Sequence, residues 1–118
     1  MVSPVETVQA ALLANSVVTA LAGTRVFQTT RTQAFETPAV AVSQVGRTPF
    51  NHLAGPPTLD AARVQVDSFA TTRGQCRALA DACRAALEAV GIVTEGEFEG
   101  FEPDVAEYRI TQDFSVWT

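Results

Sequence analysis

Positions 61–69 alternate. Ala62, Val64 and Val66 fall on one side, and Arg63, Gln65 and Asp67 on the other. A period of two is that of a strand with one buried face. From Thr72 to Val90 the period changes. Cys76, Leu79, Ala80, Cys83, Leu87 and Val90 recur at helical spacing, opposite a wet face of Arg77, Asp81, Arg84 and Glu88. The pattern predicts a strand that passes through a very short turn into a long amphipathic helix.

The flanking segments fill in the order of elements. Ser3-Pro4-Val5-Glu6 has the residues of a helix start: a capping serine, proline at the first helical position, and a glutamate able to close a capping box. Val5, Val8 and Leu12 follow on one face, with Ala11 beside them. Asn15-Ser16 predicts a break. Val17, Val18 and Leu21 predict a second short helical piece ended by Gly23. Arg25-Val26-Phe27 reads as a short strand, and Thr29 to Thr37 as a loop. Pro38 to Val45 reads as a strand apolar on both faces, hence central or covered on both sides. Gly46 is expected to end it.

Arg47 to Asp60 contains Pro49, Gly55, Pro56 and Pro57 and reads as a long irregular loop. Gly91 stops the long helix. Ile92 to Glu102 reads as a strand with Glu95, Glu97 and Glu99 on one face, and Pro103-Asp104 as a turn. Val105 to Trp117 reads as a last strand, with Tyr108, Ile110, Phe114 and Val116 on its apolar face. The order is α-β-β-β-α-β-β. The expected fold is α+β: a two-layer sandwich in one domain over residues 1–118, its mostly antiparallel sheet covered by helices on one face.

Composition narrows the function. The chain has 118 residues, 47% of them hydrophobic and 18% charged, as in globular proteins. A net charge of −5 argues against binding to phosphate backbones, which needs clustered cations. All eight cations are arginine. The N-terminus lacks a basic stretch followed by an apolar run, so no signal peptide is expected. No apolar run reaches membrane-spanning length, so no membrane partner is expected. Cys76 and Cys83, seven residues apart on one helix, stand about 10.5 Å apart along its axis. That is beyond the ~7 Å reach of a disulfide. They read as small core residues in a reducing compartment.

The residues do not assemble a catalytic set, a metal site or a cofactor loop. His52 sits in the proline-rich loop without further ligands nearby, so surface or interface placement is expected. No glycine-rich turn opens a helix after a strand. The features left over suit contacts between chains. Phe50 and Leu53, apolar in an irregular stretch, are expected to order against a partner, with Arg47 and His52 beside them. Arg63 and Asp67 on one strand match Arg109 and Asp113 on another in spacing. In antiparallel neighbours Arg63 would oppose Asp113 and Asp67 would oppose Arg109, either as register-setting pairs or as a face against a neighbouring subunit. The row Glu95, Glu97 and Glu99, continued by Glu102 and Asp104, reads first as a solvated face, then as an acidic surface that repels nucleic acid; a calcium site is the weakest reading, for want of a compact Asp/Asn loop.

Several of these pieces together resemble the small tail-completion proteins of long-tailed phages, the group that includes tail terminators and tail-to-head joining proteins. They are Leu12-Leu13 through Arg25-Val26-Phe27, Thr37 to Ser43, Leu59 to Phe69, the helix with Ala78-Leu79-Ala80 and Arg84 to Leu87, and Tyr108-Arg109-Ile110 with Asp113 to Trp117. The resemblance implies a structural virion protein, not an enzyme, assembled in the host cytoplasm and using no cofactor. It implies a ring, commonly a hexamer, at the head-proximal end of the tail tube. Its partners would be copies of itself, the major tail tube protein and the head connector or stopper. DNA would pass through without specific binding, which an acidic lumen built from Glu95, Glu97 and Glu99 would favour. Two other readings remain open here: a neck, stopper or other tail component, and a small cytosolic ligand-binding or enzymatic α+β domain.

Overall fold

A computed structural model describes residues 3–28, 37–49, 60–103 and 106–117. The chain runs α1 (Pro4–Ala14), α2 (Ser16–Ala22), β1 (Val26–Phe27), β2 (Ala39–Pro49), β3 (Asp60–Ala70), α3 (Arg73–Ala89), β4 (Val93–Glu102) and β5 (Glu107–Trp117). The strands form one sheet in the order β1-β2-β3-β5-β4. All neighbouring pairs are antiparallel except β1 with β2, which is parallel. The sheet is therefore mixed, and the expected α+β sandwich stands with that one parallel pair.

The alternation at 61–69 builds the central strand. Val64 and Val66 of β3 are fully buried, as are Val40 and Val42 of β2 and Phe114 of β5. All lie on one face of the sheet, and their cluster includes Val8 and Leu12 of α1, Val18 and Ala22 of α2, and Leu79, Cys83 and Leu87 of α3. All three helices therefore cover the same face. α1 and α2 meet at an 87° bend. Asn15 makes that break: its Oδ1 accepts hydrogen bonds from the backbone N–H of Val17 and Val18, both at 3.0 Å. One residue thus closes the first helix, its backbone N–H donating to the Leu12 carbonyl, and caps the second with its side chain. Ser3 accepts from the Glu6 N–H as expected. Among the described residues no single helix is long and apolar enough to cross a membrane.

Three expectations need correction. β2 does not stop at Gly46 but continues to Pro49, opposite Asp60. A bulge between Gln44 and Gly46 absorbs the glycine without breaking the ladder. Residues 47–49 thus belong to a strand, while residues 29–36 and 50–59 lie outside the described ones. Val90 is not part of the buried stripe. The helix ends at Ala89, Val90 is 60% exposed, and Gly91 turns the chain at φ +86° so that Ile92 is buried instead. The stripe is completed by Ala82 and Ala86, whose small side chains let α3 lie close to the sheet. Asp67, expected on a wet face, is buried, as explained below.

Phe114 is the largest fully buried side chain of the sheet, at the junction of β3, β4 and β5. Phe114→Ala is expected to cost about 3–5 kcal/mol in urea unfolding, the range for large-to-small changes in a packed core. A loss below about 1 kcal/mol would contradict the packing described.

Candidate functional site

The edge strand β4 holds most of the chain's distinctive charge. The expected row of three carboxylates is not continuous. A bulge between Thr94 and Gly96 shifts the strand by one residue. Glu97 and Glu99 then stand opposite Gln112 and Ile110, on the helix face, while Glu95 reaches the second face and accepts a hydrogen bond from the Ser115 hydroxyl at 2.9 Å. One extra residue reverses which way a side chain points, so period alone cannot carry a face assignment across a bulge.

On the helix face the two glutamates are fastened to α3. The Arg77 guanidinium donates to Glu97 Oε2 at 2.8 Å, to Glu99 Oε1 at 2.9 Å, and to Asp81 at 3.2 Å. Arg73 takes the other oxygen of Glu99 at 3.0 Å. Gln112, fully buried on β5, donates to Glu97 Oε1 at 2.8 Å and to the Ala80 carbonyl at 3.1 Å. One amide and one guanidinium therefore tie β4, β5 and α3 together. Gln112 was missed from sequence, although it interrupts the apolar run Tyr108, Ile110, Phe114, Val116 at the position where another apolar residue was due. A polar residue at such a position signals a buried hydrogen bond.

The titration of these groups follows from their partners. Burial pushes the Glu97 carboxyl up, but the hydrogen bonds from Arg77 and Gln112 and the nearby positive charge outweigh it and hold it below the ordinary value of 4.5. Arg77 and then Arg73 hold Glu99 down in the same way. The hydrogen bonds to Glu97 and Glu99 raise Arg77 further above its already high value.

The second face of the sheet carries the remaining candidates. β3 and β5 are antiparallel neighbours, but two residues away from the expected register. Arg63 opposes Ser115, Gln65 opposes Asp113, Asp67 opposes Thr111, and Phe69 opposes Arg109. The expected Arg63–Asp113 and Asp67–Arg109 pairs are therefore absent. Asp67 instead accepts from the Thr111 hydroxyl at 2.6 Å and from the Gln65 amide at 3.1 Å, which satisfies a carboxylate that is only 8% exposed. Arg109 turns to Glu102 of β4 at 2.8 Å. The register is set by Val64 against Phe114 and Val66 against Gln112 on the buried face. Packing there outweighs surface ion pairs worth roughly 0.2–1 kcal/mol. Among the described residues Arg63, Glu95 and Asp113 have no partner of opposite charge.

Arg47 lies in β2 opposite Ala62. Phe50, His52 and Leu53 lie outside the described residues. Both cysteines are buried. Burial pushes the thiols up, Cys76 to about 11 and Cys83 to about 12, so neither is poised as a nucleophile. Cys76 donates to the Ser68 carbonyl at 3.2 Å. Among the described residues no group of three His, Cys, Asp or Glu side chains could hold a metal ion. What the geometry offers is surface: an exposed, charged edge strand with Val93 and Phe98 on its second face and Phe101 on the other, stacked edge-to-face on Tyr108 with centroids 4.9 Å apart.

The Arg77 clamp has a pH signature. Carboxyls whose folded pKa lies below the unfolded one add stability that is present above 4.5 and is lost as pH falls through the lowered folded values. Urea unfolding of Arg77→Ala is expected to show a loss of about 1 kcal/mol at pH 7, the sum expected of several partly exposed pairs. Its stability should also fall less steeply with pH below 4.5 than that of the wild type. Parallel pH profiles would mean that the clamp adds nothing.

Comparison with known proteins bears on what this surface serves. No curated protein matches the sequence. In fold, the chain is similar to a chain in the structure of the virion of a native gene transfer agent particle. The TM-score is 0.76 at 19% identity, over 92% of this chain and 88% of that one. At that identity the likeness establishes the fold alone. Residues 6–118 match the family model described as tail completion protein gp17. That match spans nearly every element described above, and the chain belongs to this family of structural proteins of phage tails.

Proposed function

We propose that this protein forms a ring, commonly of six copies, at the head-proximal end of a tail tube. There it stops tube polymerisation and joins the tail to the head connector or stopper, while DNA passes through its centre. The observation that carries the reading is the family match across residues 6–118. The fold is consistent with it. The helices cover one face of the sheet, and the groups exposed among the described residues include Val93 and Phe98 of the edge strand β4 and Arg63 on the second face. A ring needs contacts that close around an axis, and no catalysis.

Within this reading Arg47, Phe50, His52 and Leu53 meet a neighbouring subunit or the last ring of the tube. Their apolar members gain from burial there what they lose in water. Arg63, Asp67, Arg109 and Asp113 share the second face of the sheet. Asp67 and Arg109 shape that face through partners on their own chain, which leaves Arg63 and Asp113 to meet other chains. Glu95, Glu97 and Glu99 stand near the DNA path. The charges of Glu97 and Glu99 are compensated by Arg77 and Arg73, so Glu95 contributes most of the repulsion that keeps DNA from adhering.

Particles assembled without this protein are expected to show overlong tails of uneven length, separate from filled heads, in electron micrographs. A protein lacking Phe50 to Leu53 should reproduce that picture while remaining folded. Tails of normal length would exclude termination and favour a joining role. For the lumen, Glu95→Arg is expected to reduce DNA delivery at unchanged tail length, and more so when combined with Glu97→Arg and Glu99→Arg. Undiminished delivery by the triple variant would remove these residues from the DNA path.

A further inference from the structure

A polar row crosses the core beneath α3. On the helix side β3 places Val64, Val66, Ser68 and Ala70, and β5 places Phe114, Gln112, Ile110 and Tyr108. Ser68 stands opposite Ile110, and Gln112 opposite Val66, so the two polar residues are diagonal neighbours on adjacent strands. The buried apolar residues divide at this row. Val64, Val66, Leu79, Cys83 and Phe114 belong to one cluster, and Ala70, Cys76, Ala80 and Ile110 to another. Ser68 and Gln112 are fully buried, yet Ser68 Oγ and Gln112 Oε1 have no hydrogen-bond partner among the described residues. Folded interiors rarely leave such atoms unsatisfied.

Gln112 cannot relieve its oxygen by turning its amide over. Nε2 donates to Glu97 Oε1 at 2.8 Å and to the Ala80 carbonyl at 3.1 Å, which uses both protons. The reverse orientation would set the amide oxygen against two acceptors. Glu97 faces Gln112 from β4, on the side of β5 away from β3. An amide nitrogen held toward β4 leaves its oxygen on the other side, where Ser68 stands. The neighbouring thiols do not supply the missing donor. Cys76 donates to the Ser68 carbonyl at 3.2 Å. Cys83 is pushed up by burial, a rise that the Ser68 hydroxyl beside it partly offsets, and a thiol is a weak partner. The side chains around the row, Ala70, Cys76, Ala80 and Cys83, are small. We infer that the row binds one internal water molecule, which donates to Gln112 Oε1 and accepts from the Ser68 hydroxyl. Bridging water is the usual partner of buried polar groups that the chain itself does not pair. Here it completes the bonding of the amide that ties β4 to α3.

Two measurements on the full chain test the site. In a crystal structure at a resolution that orders solvent, the expected result is a single solvent peak about 2.5–3.0 Å from both Gln112 Oε1 and Ser68 Oγ. A row without that peak, or a direct hydrogen bond between the two side chains, overturns the inference. Urea unfolding decides the same point in solution. An unpaired buried hydroxyl is better removed, so a dry row predicts that Ser68→Ala is neutral or stabilising. A bridged row predicts that Ser68→Ala lowers the folding equilibrium constant about five-fold, the loss of one hydrogen bond of ordinary net strength. In a Gln112→Met background, where the shared acceptor is gone, the same change is expected to cost about two-fold or less. A neutral or stabilising Ser68→Ala, or an equal cost in both backgrounds, overturns the inference. Should Gln112→Met fail to fold, the solvent peak and Ser68→Ala alone still decide it.

Discussion

β3 has to bury one face and pair along both edges, and the remaining elements arrange themselves around that demand. Val64 and Val66 need an apolar cover, which α3 supplies by folding back immediately after the strand with Thr72 as its cap. Their neighbours across the ladder, Val42 on one side and Phe114 on the other, extend the same buried face. α1 and α2 close it, bent at Asn15 so that two short helices follow a surface one straight helix would leave in part uncovered.

Burial on that face also decides what happens on the other. Once Val64 sits against Phe114, the polar residues of β3 and β5 meet whatever that register supplies. Asp67 finds a hydroxyl rather than a guanidinium, and Arg109 turns to the edge strand. Weak exposed ion pairs yield to core packing because the burial of each large apolar side chain contributes more than they do. Arg63, Glu95 and Asp113 are left without partners of opposite charge among the described residues, and they are the groups a neighbouring molecule can still engage.

The edge strand is joined to the rest of the molecule by hydrogen bonds and charge. Glu97 and Glu99 reach over to α3, where Arg77 and Arg73 hold them, and Gln112 links Glu97 to the helix backbone from within the core. This holds β4 in position without covering its outer edge. Among the described residues no strand pairs with the outer edge of β4, and the chain belongs to a family of structural parts of phage tails.

The amino-acid sequence by itself determined the order of elements, the break at Asn15, the buried faces of β2, β3 and α3, and the hairpin of β4 with β5. Each depends on local periodicity or on a cap, and both are written in neighbouring residues. The resemblance to tail-completion proteins was legible for the same reason, since it rests on the order and spacing of those elements. Only the tertiary structure decided the register of β3 on β5, the burial of Asp67, the role of Gln112 and the two sides on which the β4 carboxylates fall. Register depends on which side chains fill the space under α3, and a bulge of one residue at Thr94 and Gly96 inverts every alternation beyond it. Those facts belong to pairs of residues far apart in sequence, and no local pattern records them.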